Sequence, residues 1–289
     1  MSKTLIIALL TSIMIVTTAF GGSLDKSEDS KLLMLVNSEH MVDKDFDPDR
    51  VQFEDTYYYL REEAADALDR MLNDMEKDLG EAPMIISTYR SYEKQETLYN
   101  TNVDGAVAAG AGIADAIEAT GRYIALPGAS EHHTALAVDL SNDGSVEENF
   151  IETEAGVWLS EHCHEYGFIV RYPKEKEKYT GIGYEPWHIR YVGEPHSDIM
   201  YQNNWCLEEY IEYLKEDGSI IWKDGENIWG VYYVDSLECS YANIVDFSET
   251  NCGGYIVTTC RNRNSLLGKA QTLKGHTELM DKLISRIAA

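Results

Sequence analysis

Residues 134–140 constrain the fold more than any other stretch of this chain. Thr134, Leu136, Val138 and Leu140 fall on one face of a two-residue period, and Ala135, Ala137 and Asp139 fall on the other. That pattern is a strand with one apolar face to bury and a second face kept small around a single carboxylate. Such a strand needs partners, and residues 84–90, 168–171 and 188–192 have the β-branched or alternating texture to supply them. Between these strands the period becomes helical. Leu60, Ala64, Ala67, Leu68, Met71, Met75 and Leu79 predict a helix that Gly80 stops. Residues 95–100 read as helix, residues 105–119 as a small-residue helix broken at Gly110 or Gly112, and residues 157–166 as a helix stopped by Gly167. Residues 174–178 read as a solvated mixed-charge loop, and Leu207, Tyr210, Ile211 and Leu214 as an amphipathic helix ending near Gly218.

Past Gly218 the texture changes again. A hairpin turn on Asp224-Gly225 and strand-like segments at 229–234 and 254–259 predict a small β appendage over residues 219–260. From Arg261 to the end, six basic and two acidic residues predict a helix, read as a solvated face ahead of a contact with an anionic surface.

The chain of 289 residues can bury one large domain or two modest ones. Its 50 acidic and 24 basic residues leave a formal charge of −26, which argues against a nucleic-acid partner, since phosphate backbones reward clustered Lys and Arg. At the N-terminus Lys3 is followed by an uncharged apolar run from Thr4 to Phe20, then by Gly21, Gly22 and an acidic stretch. This reads as an export signal, with an uncleaved membrane anchor as the competing reading. The absence of a following Cys excludes lipoprotein attachment. Cys239, Cys252 and Cys260 lie close together in the sequence; export permits one disulfide among them, and buried thiols are the alternative.

Two short segments concentrate groups able to hold a metal ion. One is Ser130-Glu131-His132-His133 running on to Asp139; the other is Glu185-Pro186-Trp187-His188. They offer three imidazoles, of which two are needed, one carboxylate ligand and a further Glu. Three protein donors with an open position is the arrangement of a catalytic zinc, whose bound water has a pKa of about 7. Pro186 has no N–H and disfavours helical backbone at Glu185, so the second segment predicts a bend running into the strand at 188–192. The bend would aim His188 at the metal and leave Glu185 close enough to carry a proton. The competing reading makes Glu185 a surface carboxylate beside a turn and Trp187 a core aromatic. In an unbroken strand His133, not His132, shares the face of Asp139, unless the chain straightens only after Thr134.

Four segments in order carry a resemblance: Ser-Thr-Tyr-Arg-Ser-Tyr-x-x-Gln at 87–95, Pro-Gly-Ala-Ser-Glu-His-His-Thr-Ala-Leu-Ala-Val-Asp at 127–139, Tyr-Gly-Phe-Ile-Val-Arg-Tyr-Pro at 166–173 and Glu-Pro-Trp-His-Ile-Arg-Tyr-Val-Gly at 185–193. Together they resemble the VanY-type D-alanyl-D-alanine carboxypeptidases, a family of zinc peptidases, over about residues 32–214. The family pattern Ser-x-His-x-x-Gly-x-Ala-x-Asp implies ligands at His132 and Asp139, a third at His188 and the catalytic carboxylate at Glu185. It implies that His133 is outside the ligand set, next to the site or exposed. It also implies that Arg90 points at the scissile carbonyl or the substrate carboxylate, and that Gln95 and Ser130 hold the terminal D-residue. Without the family, a salt bridge explains Arg90 equally well. One departure is Ala135, which replaces the family Gly; its methyl group is expected to trim access if that face lines the pocket.

The resulting expectation is an α+β fold: a small antiparallel sheet with packed helices around one Zn2+ per chain, plus a C-terminal β appendage. Residues 1–22 are the signal or anchor, 23–31 a linker, 32–217 the zinc carboxypeptidase-like domain, and 218–289 the appendage and terminal helix. The resemblance implies an exported or envelope hydrolase that removes the C-terminal D-alanine of peptidoglycan stem peptides. An L,D-carboxypeptidase acting on tetrapeptide stems is the enzymatic rival. A non-catalytic zinc-containing binding module, of the kind the hedgehog signalling domain resembles, is the rival from another class.

Overall fold

The computed structural model describes residues 29–237 and 241–262. The described residues divide into two compact units, one being Leu32–Ile211 and the other combining residues 29–31 with 212–237 and 241–262.

The larger unit opens with a two-stranded pair, β1 (Val51–Gln52) and β2 (Tyr59–Leu60), followed by helix α1 (Glu62–Leu79). α1 buries Ala64, Ala67, Leu68, Met71 and Met75, the residues whose spacing predicts it, and ends where Gly80 adopts φ 88° and donates its N–H to Glu76 O. Then come β3 (Met84–Ser87), α2 (Tyr92–Ala108), α3 (Ile113–Gly121), β4 (Ala137–Ser141), α4 (Glu154–His162), β5 (Phe168–Tyr172), α5 (Glu177–Thr180), β6 (Glu185–Tyr191), α6 (His196–Asn203) and the first residues of α7 (Leu207–Asp217), which from Glu212 on belongs to the smaller unit. The strands form one antiparallel sheet in the order β3-β4-β6-β5. Leu136, Val138 and Leu140 pack with Ile189, Phe168, Trp158, Leu159 and the buried side of α1 into one apolar core. At about 25 cal/mol per Å² of apolar surface, burial of this kind is the main force holding the sheet against the helices.

Several boundaries differ from those expected. α2 starts at Tyr92 because Ser91 Oγ accepts the Lys94 N–H at 3.2 Å, a side-chain cap that apolar spacing does not register. It runs on to Ala108, and the expected break falls between it and α3. Residues 174–178 are not all loop, since Glu177 begins the one-turn α5. The strand carrying Asp139 begins at Ala137 rather than Thr134, because residues 131–134 form a 3-10 turn.

The smaller unit is a four-stranded antiparallel sheet of β7 (Ser219–Asp224), β8 (Asn227–Val234), β9 (Ile244–Glu249) and β10 (Tyr255–Asn262), in the order β7-β8-β10-β9. β7 and β8 join through a two-residue Gly225-Glu226 turn, and Phe247, Tyr255 and Val257 form the apolar cluster of the sheet. Arg261 and Asn262 pair with Ile228 and Asn227 in β10, so a terminal helix cannot begin at Arg261. The rest of that expected helix, and the apolar run at Thr4 to Phe20, lie outside the described residues. No helix among the described residues is long and apolar enough to cross a membrane. Cys163, Cys206, Cys252 and Cys260 are free thiols, so Cys252 and Cys260 are not bonded to each other; Cys239 lies outside the described residues.

Candidate active site

Strand register brings the first two groups together. Asp139 on β4 is the direct cross-strand partner of His188 on β6, and His188 Nδ1 lies 2.8 Å from Asp139 Oδ1. The third group comes from the 3-10 turn leading into β4: His132 Nε2 lies 3.1 Å from Asp139 Oδ2. One ligand atom from each of His132, Asp139 and His188 can be chosen so that all lie within 4.8 Å of one another. Strand parity, which favours His133, does not apply here, because the backbone at 131–134 is a 3-10 turn and brings His132 to the cluster. His133 points elsewhere and is buried: its Nδ1 donates to Arg90 O at 2.7 Å, and its Nε2 accepts the Gly128 N–H at 3.1 Å. Gly128 sits at φ 90°, where a Cβ would stand 3.0 Å from Val42 O.

Ala135 has a different effect from the one expected. It is fully buried at φ 58°, the left-handed region, and does not line the cleft. A left-handed position favours Gly, so the Ala here carries a backbone cost of about 1 kcal/mol.

Glu185 is a buried residue of β6, 5% exposed, which overturns its reading as a surface carboxylate. The bend that Pro186 predicts is present as an irregularity inside the strand: Val170 pairs with Ile189 but Tyr172 pairs with Glu185, so β6 carries the extra residues. Pro186 needs no ladder partner at such a bulge. The bulge leaves Glu185 Oε2 3.7 Å from His188 Nδ1.

Arg90 lies at the cleft wall, with Nη2 3.7 Å from Asp139 Oδ2. Its Nη1 donates to Gln95 Oε1 at 2.7 Å and its Nη2 to Ser87 Oγ at 2.8 Å, which fixes the plane of the guanidinium. Gln95, expected to touch substrate, is fully buried and does not line the cleft; its Nε2 donates to Ala125 O at 2.6 Å. Its amide is spent on holding Arg90 and the 125 loop. Ser130 does line the cleft, beside the ligand cluster. The cleft has a volume of about 550 Å³ and is also walled by Tyr172 and Trp187, with the more exposed Tyr123, Val146, Glu147 and Glu148 among its remaining residues.

The electrostatics suit a cation. Burial alone would raise the Asp139 carboxyl, but its hydrogen bonds with both imidazoles and the charge on His188 hold Asp139 well below the ordinary carboxylate range. Burial would lower the His188 imidazole, but Asp139 in turn raises it to about 9 without a metal. Burial pushes the His132 imidazole down to about 4, which keeps it neutral. Its Nδ1 donates to Thr88 O at 2.6 Å, leaving the Nε2 lone pair for a ligand bond. Burial drives the Glu185 carboxyl the other way, up to about 8, the direction expected of a group that must take and return a proton. Two imidazoles and one ionised carboxylate, buried together beside a cleft, fit a mononuclear zinc of the catalytic type.

A fold and donor set of this kind define a mononuclear metallohydrolase. The VanY family model, described as D-alanyl-D-alanine carboxypeptidase, matches residues 57–194. A D-alanyl-D-alanine carboxypeptidase of Enterococcus faecium is 35% identical over 210 residues, covering 71% of this chain and 62% of that protein. The bifunctional D-Ala-D-Ala dipeptidase and carboxypeptidase VanXYC of Enterococcus gallinarum is 33% identical over 194 residues, covering 64% of this chain and 95% of that protein. Among solved structures, a Zn(II) complex of a VanY D,D-pentapeptidase mutant matches at TM-score 0.55 and 34% identity, covering 62% of this chain and 98% of its own. The D,D-dipeptidase VanXYg with a D-Ala-D-Ala phosphinate analogue matches at TM-score 0.67 and 30% identity, covering 80% and 94%. The LD-carboxypeptidase LdcB matches at TM-score 0.55 and 34% identity, covering 63% and 86%. The chain belongs to the VanY-type D-alanyl-D-alanine carboxypeptidase family and is a zinc metallo-carboxypeptidase.

Three features of the site are given no role by the sequence. Tyr172 falls within the third motif but carries no role there, and the Thr88 carbonyl is backbone. Glu131 lies inside the second motif between Ser130 and His132, but the sequence assigns it no role.

Proposed function

We propose that this chain removes the C-terminal D-alanine from peptidoglycan stem peptides, with His132, Asp139 and His188 as zinc ligands, Glu185 as proton carrier, and Arg90 with Ser130 as the grip on the substrate. The observation that carries this reading is the convergence of three ligand atoms within 4.8 Å, with the Glu185 carboxylate 3.7 Å from one of them. Zinc, when bound, supplies Lewis-acid polarisation of the scissile carbonyl and a water acidic enough to attack at neutral pH. Glu185 takes the proton of the attacking water and returns it to the leaving D-alanine nitrogen. Arg90, held by Gln95 and Ser87, keeps guanidinium N–H groups free to meet the oxyanion or the free carboxylate of the substrate. Ser130 adds a hydroxyl at the same wall. The presence of Glu185 and Arg90 beside the ligands favours turnover over a binding module. Export to the cell envelope, where mature stem peptides lie, is supported by the apolar N-terminal run read as an export signal or anchor.

The similarity to LdcB equals that to VanY in identity and TM-score, so an L,D preference is the specific rival. Purified protein incubated with pentapeptide and tetrapeptide stems, with zinc and with chelator, decides by the release of free D-alanine. Chelator-sensitive release from pentapeptide alone supports the D,D reading. Release from tetrapeptide alone replaces it with L,D, and release from neither removes both.

A further inference from the structure

The two histidines of the ligand cluster are held from behind in different ways. His132 offers Nε2 to the cluster and donates Nδ1–H to a neutral backbone carbonyl. His188 is turned the other way round: Nδ1 is at the cluster, 2.8 Å from Asp139 Oδ1, so a ligand bond from it requires the ring proton on Nε2. His188 Nε2 faces Glu131 Oε2 across 3.9 Å, longer than a hydrogen bond, and both atoms are buried with no hydrogen-bonding partner.

The surroundings of Glu131 explain how a carboxylate can wait there. Its Oε1 accepts from Arg171 Nε and from Arg190 Nη1, each at 2.8 Å. The remaining donors of Arg171 pair bidentately with Glu208, at 2.8 and 2.7 Å. Arg190 Nη2 donates to Leu32 O and Met34 O, both at 3.0 Å, and its Nε to Tyr191 O at 3.1 Å. Two carboxylates and two guanidiniums balance in charge. Glu131, Arg171 and Arg190 are all essentially unexposed. Apolar packing would fill the same space without the desolvation cost of burying charges, which reaches several kcal/mol per ion. What apolar packing cannot supply is an anionic oxygen aimed at an imidazole. The arginines consume Oε1 and lock the carboxylate, so Oε2 is left for the ring.

Resting on the ligand assignment above, we infer that Glu131 is a positioning residue for His188. Closing the 3.9 Å gap by less than about 1 Å lets Oε2 accept the Nε2–H and so fix the tautomer and ring orientation that turn Nδ1 toward the metal, while Arg171 and Arg190 hold Glu131 in place. A carboxylate behind a ligating imidazole also strengthens the ligand bond, and removing such a partner costs about 10–100-fold in metal affinity.

The test measures zinc affinity by competition with a chromophoric chelator, together with the ring N–H signals of 15N-histidine-labelled, zinc-loaded protein. Wild type and His132→Ala report on the ligand assignment alone: one zinc per chain in the first and none in the second leave it standing, and any other result removes it whatever Glu131 does. Given that, Glu131→Gln with an unchanged circular dichroism spectrum is expected to bind zinc about 10–100-fold more weakly and to lose the downfield His188 Nε2–H signal. Glu208→Gln, which loosens Arg171 from the side away from His188, is expected to keep the signal and to stay close to wild-type affinity. Wild-type affinity and an unmoved ring proton in Glu131→Gln overturn the inference, as does an equal loss in Glu208→Gln. Should Glu131→Gln fail to fold, the wild-type spectrum decides: a protected, downfield Nε2–H on His188 supports the assignment, and its absence overturns it.

Discussion

The two units solve the problem of buried polarity in opposite ways. In the smaller unit the buried polar residues among those described are Ser248, Thr250, Thr258 and Thr259, all hydroxyls. Thr250 Oγ1 donates to Gly253 O at 2.6 Å and Thr259 Oγ1 to Gly230 O at 3.2 Å, so neighbouring backbone satisfies them. The larger unit buries Glu131, His132, His133, Asp139, Arg171, Glu185, His188 and Arg190. A buried hydroxyl with a carbonyl acceptor is nearly neutral for stability, whereas each buried charge demands a partner. Sheet packing asks for none of these charges: Glu131, His132, Asp139, Glu185 and His188 line one cleft, while Arg171 and Arg190 grip Glu131 from behind and the His164–Asp198 pair lies elsewhere.

The contrast can be broken most directly at Glu185. Glu185→Gln is expected to lower kcat by about 10²–10⁴-fold, the usual worth of a general acid–base, while metal analysis still finds one zinc per chain. Normal turnover in that variant would mean the buried carboxylate is structural after all. Next in size, His132→Ala is expected to lose zinc and His133→Ala to retain it, read by the same metal analysis. Chelation of the wild-type protein should abolish D-alanine release, and added zinc should restore it.

The smaller unit should respond in stability instead. Ile256 is fully buried, and Ile256→Ala is expected to cost about 2–4 kcal/mol in denaturant unfolding with kcat of the folded protein unchanged. A kcat loss on the scale of Glu185→Gln would erase the distinction between the units. The smallest effect is expected at Ala135, where Ala135→Gly relieves the φ 58° backbone and should stabilise by about 0.5–1 kcal/mol with activity unaltered. Slower turnover in that variant would restore a role for the methyl group in the cleft.

Much of the fold is legible because it rests on short-range periodicity. α1, with its apolar stripe and Gly80 stop, and β4, with Leu136, Val138 and Leu140 packed into one core, follow from patterns of 3.6 and 2 residues. Where a side chain competes with the pattern, the reading slips: Ser91 starts α2 three residues before the expected helix at 95, and the 3-10 turn at 131–134 removes the strand on which the parity argument for His133 depended. The site was legible as a set of residue types through its four motifs, but not in its supports. Gln95 belongs to the set yet turns out to hold Arg90, and the backing of His188 by Glu131, Arg171 and Arg190 joins three separate stretches of chain.

The amino-acid order alone determined which donors were available, two imidazoles and a carboxylate with a further acid beside a proline, and that alternating segments would form a sheet; both depend only on neighbours along the chain. The tertiary structure decided which histidine lies beside Asp139 and His188, which ring nitrogen it turns to that cluster, and which polar groups line the cleft rather than bond to one another. Those outcomes depend on strand register and on a left-handed residue at Ala135, and register is set by contacts between segments some 50 residues apart in sequence.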